Sequence, residues 1–314
     1  MSTAVVKTIA AVLQEQPAQS LTARSWRRFL RNRLAVASGI YLILLLVVML
    51  AALPWTLERY DDQNLALNRH PPTFREPFGF DNLGRSMLMR CLFGGTISFS
   101  IGVGAAAISV TVGVLWGAIS ALAGGRVDNV MMRIVDILYG LPYILLVILM
   151  KVAFEGKLTA LLQDKQAANI AIMFVAIGSV SWLTMARVIR GQVLSLREMP
   201  FVEAARSAGV GPLRILVRHL LPNLVGPIIV YTTLTIPQAI LQESFLSFLG
   251  IGVSPPIPTW GSLAAEGVAA INTVVSFWWM LLYPCLLLGT TLLALNFVGD
   301  GLRDAFDPRA GHGV

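Results

Sequence analysis

The side chains of this sequence that could do acid–base, nucleophilic or metal chemistry are few and scattered. The histidines are His70, His219 and His312, and the cysteines are Cys91 and Cys285. None falls at a spacing that would gather ligands around a metal. A membrane-embedded hydrolase would need a nucleophile beside a base, or clustered His and carboxylates, and neither arrangement is visible. No G-x-x-x-x-G-K-[ST] stretch offers a cradle for nucleotide phosphates, and the glycine-rich stretches lie in apolar runs. Both cysteines sit in apolar segments and read as small buried hydrophobes. The spacing that stands out suggests mechanical work: Glu203-Ala204-Ala205, then Gly209, then Leu221-Pro222. Helix-favouring residues from Phe201 to Ala208 lead into Gly209, Val210, Gly211 and Pro212. Two glycines permit a turn there, and the proline suits the first position of a second short helix ending near Leu220. A short helix, a sharp turn and another short helix, partly along a membrane surface, make a shape suited to docking.

Composition identifies what must hold that element. Of 314 residues, 56% are hydrophobic and 13% charged, where a soluble domain carries about 25% charge. The main solvent of this chain is therefore a bilayer. A spanning helix needs roughly 20 apolar residues, and six candidate runs are present: Leu34–Leu57, Gly94–Ala123, Ile137–Met150 with its flanks, Ala168–Ala186, Leu224–Leu249 and Asn272–Val298. The third is the shortest and must borrow Met131–Asp136 or be shielded by neighbours. The expected fold class is all-α and integral to the membrane, with about six transmembrane helices. Its segments are a polar N-terminal stretch at 1–33, a first span at 34–57, an outer loop at 58–93, a five-helix core at 94–300 and a tail at 301–314. The core contains the docking loop at 187–222 and an outer loop at 250–271. Gly102 and Gly104, on a run rich in Ala and Ser, would let helices approach closely.

The net charge of +7 does not point to nucleic acid, because the basic residues flank apolar runs, where they set orientation. With both termini cytoplasmic, 124–136 and 187–221 face inward, while 58–93, 151–167 and 250–271 face outward. Of the 24 Lys and Arg residues, 16 then lie on inner segments and 8 on outer ones, which favours this orientation over its inverse. In the outer loop at 250–271, Pro255, Pro256 and Pro258 would stiffen the chain, and Trp260 would sit at the membrane interface facing an extracytoplasmic partner. Asp136 and Glu243 are expected near helix ends, paired with Arg133 or lining a polar path. Gln238 and Asn296 are candidate pore residues.

The Glu203-Ala204-Ala205, Gly209 and Leu221-Pro222 pattern resembles the EAA loop of permease subunits of bacterial ABC importers. His219 stands where that pattern often has an apolar residue. The resemblance covers nearly the whole chain. Asp81, Leu83, Gly84 and Arg85 before the second span, Gly124, Gly125, Asp128, Met132, Arg133, Asp136 and Pro142 around the third, and the stretches 243–261 and 296–309 are similar to the C-type permease of dipeptide, oligopeptide and nickel importers. Phe80 and Ser86 replace a Thr and an Asp common in that group. The resemblance implies a type I ABC importer permease fold in a bacterial inner membrane, with Glu203, Ala204, Ala205, Gly209, Leu221 and Pro222 coupling the pore to ATPases. It also implies a second permease forming a heterodimer, two ATP-binding subunits that hold ATP and Mg, and an extracytoplasmic substrate-binding protein. No cofactor is expected in this chain. Peptides are the leading cargo, nickel or another small solute the alternative, and a stand-alone channel or secondary carrier a more distant one.

Overall fold

The computed structural model describes residues 21–271 and 275–306. Lys7, His312, the part of the expected tail from residue 307 onward, and residues 272–274 at the start of the sixth apolar run lie outside the described residues. Among the described residues no strand forms, only an isolated antiparallel bridge between Phe80 and Ser86.

A first helix, α1 (Leu21–Arg31), occupies the end of the stretch read from sequence only as polar. Its Phe29 is buried against Ala35 and Ala305. Asn32 then caps α2 (Arg33–Arg59), its side-chain oxygen accepting from the Ala35 N–H at 3.2 Å. The spans α3 (Met87–Ala123), α6 (Lys165–Arg197), α9 (Leu221–Phe248) and α11 (Trp278–Phe306) follow the expected apolar runs with shifted ends: α3 and α6 extend beyond theirs, α9 starts earlier and stops at Phe248, and α11 starts only at Trp278 but runs on past Val298. Counting α9 together with the turns that lead into it, five helices are long and apolar enough to cross a membrane. The third expected run differs in kind from the expectation. It is divided into α4 (Gly125–Tyr139) and α5 (Tyr143–Leu162), inclined at 94° to each other. Gly140 and Pro142 supply the physical reason, since the proline cannot continue the α4 hydrogen-bond ladder and its ring disfavours helical geometry at Leu141. As α5 runs to Leu162 and α6 starts at Lys165, the expected loop at 151–167 is almost wholly helical. Lys151, inside α5, donates to the carbonyls of Ile251 at 2.9 Å and Gly252 at 2.7 Å, which satisfies a cation at that depth.

The core is built around α3, whose most extensive contact is with α6. Small residues make the approach possible. A methyl added at Gly104 would meet the Phe174 ring at 2.7 Å, one at Gly102 would strike Ile240 of α9, and one at Gly117 would strike the Ala186 backbone. Ile101, Ala105, Ile172, Ala176, Ile177 and Ala239 fill the space between these helices. Dense packing of small residues gives helix association its dispersion energy where hydrophobic burial gives none. Of the two cysteines, Cys91 is buried as expected, but Cys285 is exposed on α11.

Candidate functional site

Two features combine geometry with unspent chemistry: a short helical element between α6 and α9, and a polar groove in the bundle. The element begins at Glu198, because α6 continues through Arg187 and Arg190 to Arg197, well past the expected start of the loop. Met199 precedes α7 (Pro200–Ser207), with Pro200 in its first turn. The helix ends in a Schellman motif. The Val210 N–H donates to the Ala205 carbonyl at 3.1 Å and the Gly209 N–H to that of Arg206 at 2.9 Å, while Gly209 has φ of +76°. Gly211 leads into α8 (Pro212–Ile215), and a π-helical turn at Leu216–Leu220 runs directly into α9. The expected second helix is therefore the start of a span, and Pro222 lies in the first turn of α9 instead of separating two elements.

One face of this element is fixed to the bundle. Val202 is fully buried and packs with Ile215, Leu216, Leu220 and Leu224 against Ile189 and Val193 of α6. Ala205 and Leu221 are partly buried in the same cluster. The other face is bare: Glu203, Ala204, Gly209 and Pro222 are exposed, and no heavy atom lies within 4 Å of a methyl built on Gly209. The sequence-predicted residues thus divide into an anchored pair and an exposed set. Val202 is the anchor that sequence reasoning missed, although an apolar residue three positions before Ala205 was a readable helical signal.

The groove has a volume of about 350 Å³ and lies between the α4–α5 bend, α6 and α9. Tyr139 and Tyr143 contribute from either side of the bend, Ser181 and Thr184 from α6, and Gln238 and Gln242 from α9. Gln238, one of the two candidate pore residues, lines this groove. Asn296, the other, is not among the lining residues, and its amide donates to the Leu292 carbonyl of its own helix at 2.9 Å. The Gln242 side-chain oxygen is buried without a donor, which costs about 1–3 kcal/mol. Asp136 pairs with Arg187 at 2.9 Å and not with Arg133, and Arg187 stacks over Tyr139 at 4.2 Å.

Polar groups at the other end of α3 are structural. The Arg90 guanidinium, 2% exposed, donates to Asp81 Oδ2 at 2.6 Å and to both Glu266 oxygens at 2.5 and 2.9 Å. Burial alone would lower the pKa of the neighbouring Arg85, but its hydrogen bonds to Asp61 and Asp81 outweigh that and hold it above its ordinary value. Ser86, in place of the usual Asp, caps α3 and donates to Glu76 at 2.8 Å. Glu243 is fully buried in hydroxyls, accepting from Ser98 at 2.8 Å and Ser247 at 2.6 Å, so it lines no path. Trp260 overturns the interfacial reading. It opens α10 (Trp260–Ala269) inside the supposed outer loop, is fully buried over Gly95, and donates from its indole to the Cys91 carbonyl at 3.0 Å.

Residues 113–312 match the family described as binding-protein-dependent transport system inner membrane component, and residues 20–72 match the N-terminal TM domain of oligopeptide transport permease C. The chain is 44% identical over 297 residues to the oligopeptide transport system permease protein OppC of Escherichia coli (strain K12), covering 94% of this chain and 93% of that protein. It is 40% identical over 296 residues to the dipeptide transport system permease protein DppC of Bacillus subtilis (strain 168), covering 94% and 88% respectively. Among solved structures, an inward-facing MetNI methionine ABC transporter chain aligns with a TM-score of 0.55 at 18% identity, over 70% of this chain and 98% of that one. That likeness speaks to the fold.

Proposed function

Because this chain belongs to the family of binding-protein-dependent transport system inner membrane components, we propose that it is the C-type permease subunit of an ATP-driven peptide importer in a bacterial inner membrane. It forms half of a pathway with a second permease, receives cargo from an extracytoplasmic binding protein, and is driven by two ATPase subunits that hold the nucleotide and Mg. Both termini and the α7–α8 element face the cytoplasm. Names of relatives over nearly the whole chain support peptides as cargo.

The observation that carries the coupling role is the two-faced α7–Gly209–α8 element. Its buried Val202 ties it rigidly to α6 and to the start of α9, while Glu203, Ala204 and Gly209 present a small, bare surface with one carboxylate. An element rigidly continuous with two spanning helices passes a push at its free face into the bundle as a body movement. Glu203 can meet a cationic partner group, and the small Ala204 and Gly209 let the helix enter a narrow groove.

The test is uptake by proteoliposomes containing this chain, its second permease, the ATPases and the binding protein. A labelled tripeptide should accumulate only with ATP inside and binding protein outside. Uptake without ATP would make the chain part of a carrier, and uptake of nickel but not peptide would overturn the cargo.

A further inference from the structure

The groove between the α4–α5 bend, α6 and α9 is uncharged and mixes polar with apolar side chains. On α9, Tyr231, Thr235, Gln238 and Gln242 recur at intervals of four, three and four residues and line it together with Leu234, so a membrane-spanning helix carries a row of polar side chains along one face. Such a face is not presented to lipid, because each unsatisfied polar group there is costly. Opposite it stand Ser181 and Thr184 of α6. The lining includes no Asp, Glu, Lys, Arg or His, and Arg187, which stacks on Tyr139 at the edge, is paired with Asp136.

The hydrogen-bonding groups there differ in what they have left to give. The hydroxyls of Ser181 and Thr235 donate back to the carbonyls of Ile177 at 2.9 Å and Tyr231 at 2.7 Å, leaving only lone pairs for a ligand. The Gln238 amide makes no hydrogen bond among the described residues, and the Gln242 oxygen has no donor. An amide side chain both donates and accepts, and so does each unit of a peptide main chain. A fixed charge would favour cargo of the opposite sign, strongly so in a low-dielectric site.

We propose that this groove is this subunit's share of the cargo path and that it engages the main chain of a peptide through Gln238 and Gln242, passing side chains of either charge alike. The inference rests on the peptide-importer reading and adds the residues and the rule of selection.

In the reconstituted complex, initial uptake of Ala-Ala-Ala, Ala-Lys-Ala and Ala-Glu-Ala is compared with the binding protein saturated by each. Wild-type rates should agree among the three. Gln238→Leu should slow all three by about three- to tenfold, the effect of one lost hydrogen bond. Gln238→Glu should split them, with the basic peptide exceeding the acidic one by about fivefold or more, as a partly desolvated charge demands. Gln238→Asn, which keeps the amide, should retain the wild-type ratios and shows that the site tolerates substitution. If Gln238→Leu and Gln238→Glu import all three peptides at wild-type rates, the groove lies off the path and the inference fails. Loss of the second permease on purification of these variants would also overturn it, by making the groove a subunit contact. A wild-type complex that imports no peptide contradicts the importer reading instead.

Discussion

At the scale of single residues, Trp260 marks where chain position and environment part. Three prolines precede it in a stretch between apolar runs, which reads as an exposed loop, yet its ring fills the space left by Gly95 on α3 and its N–H is used by Cys91. Trp260→Ala should therefore destabilise the subunit by about 3–5 kcal/mol, the range for deleting a large buried aromatic. Thermal unfolding in detergent reads this; an unchanged midpoint would return Trp260 to the surface. The turn at Gly209 was legible because it depends on a local pattern of residues. The pairing of Asp136 with Arg187 and the hydroxyl nest around Glu243 were not, because each joins residues distant in sequence. Trp260, Arg90 and Glu243 all reach across to another element, and only packing identifies such partners.

At the scale of elements, the five unbroken spans were legible because length and hydropathy set a helix across a bilayer. The broken one was not, since Gly140-Leu141-Pro142 lies within an apolar run and hydropathy does not register a 94° change of direction. The helix α10 was hidden for the opposite reason. It begins directly after a proline-rich stretch, and its capping box, Thr259 with Ser262, is a short signal beside three prolines. The sidedness of the elements rests on charge, and thiol labelling tests it. In a Cys285→Ala background, with Cys91 buried, an impermeant maleimide should label Arg75→Cys on intact spheroplasts and Ser207→Cys only after the membrane is opened. Both positions are exposed, so labelling of Ser207→Cys from outside would invert the topology and remove the coupling element from the ATPases.

At the scale of the whole molecule, the proposed reading gives the bundle several neighbours at once: lipid, a companion permease and cargo beside the groove, and ATPases at α7. The central claim is that the last of these drives the rest, and Gly209→Glu tests it most directly. The glycine has φ of +76° and nothing of its own chain within reach of a methyl. A side chain there costs about 1 kcal/mol of backbone strain and disturbs no internal packing. That is small beside the roughly 5–15 kcal/mol by which folded domains are stable, and a bulky carboxylate would block the docking face. The variant should insert and pair with the second permease at wild-type levels. Cross-linking from Ser207→Cys to the ATPases, and ATP-driven peptide uptake, should both fall at least about tenfold, equivalent to 1.4 kcal/mol or more of lost coupling. A Gly209→Glu complex that cross-links to its ATPases and imports peptide at the wild-type rate would contradict the account.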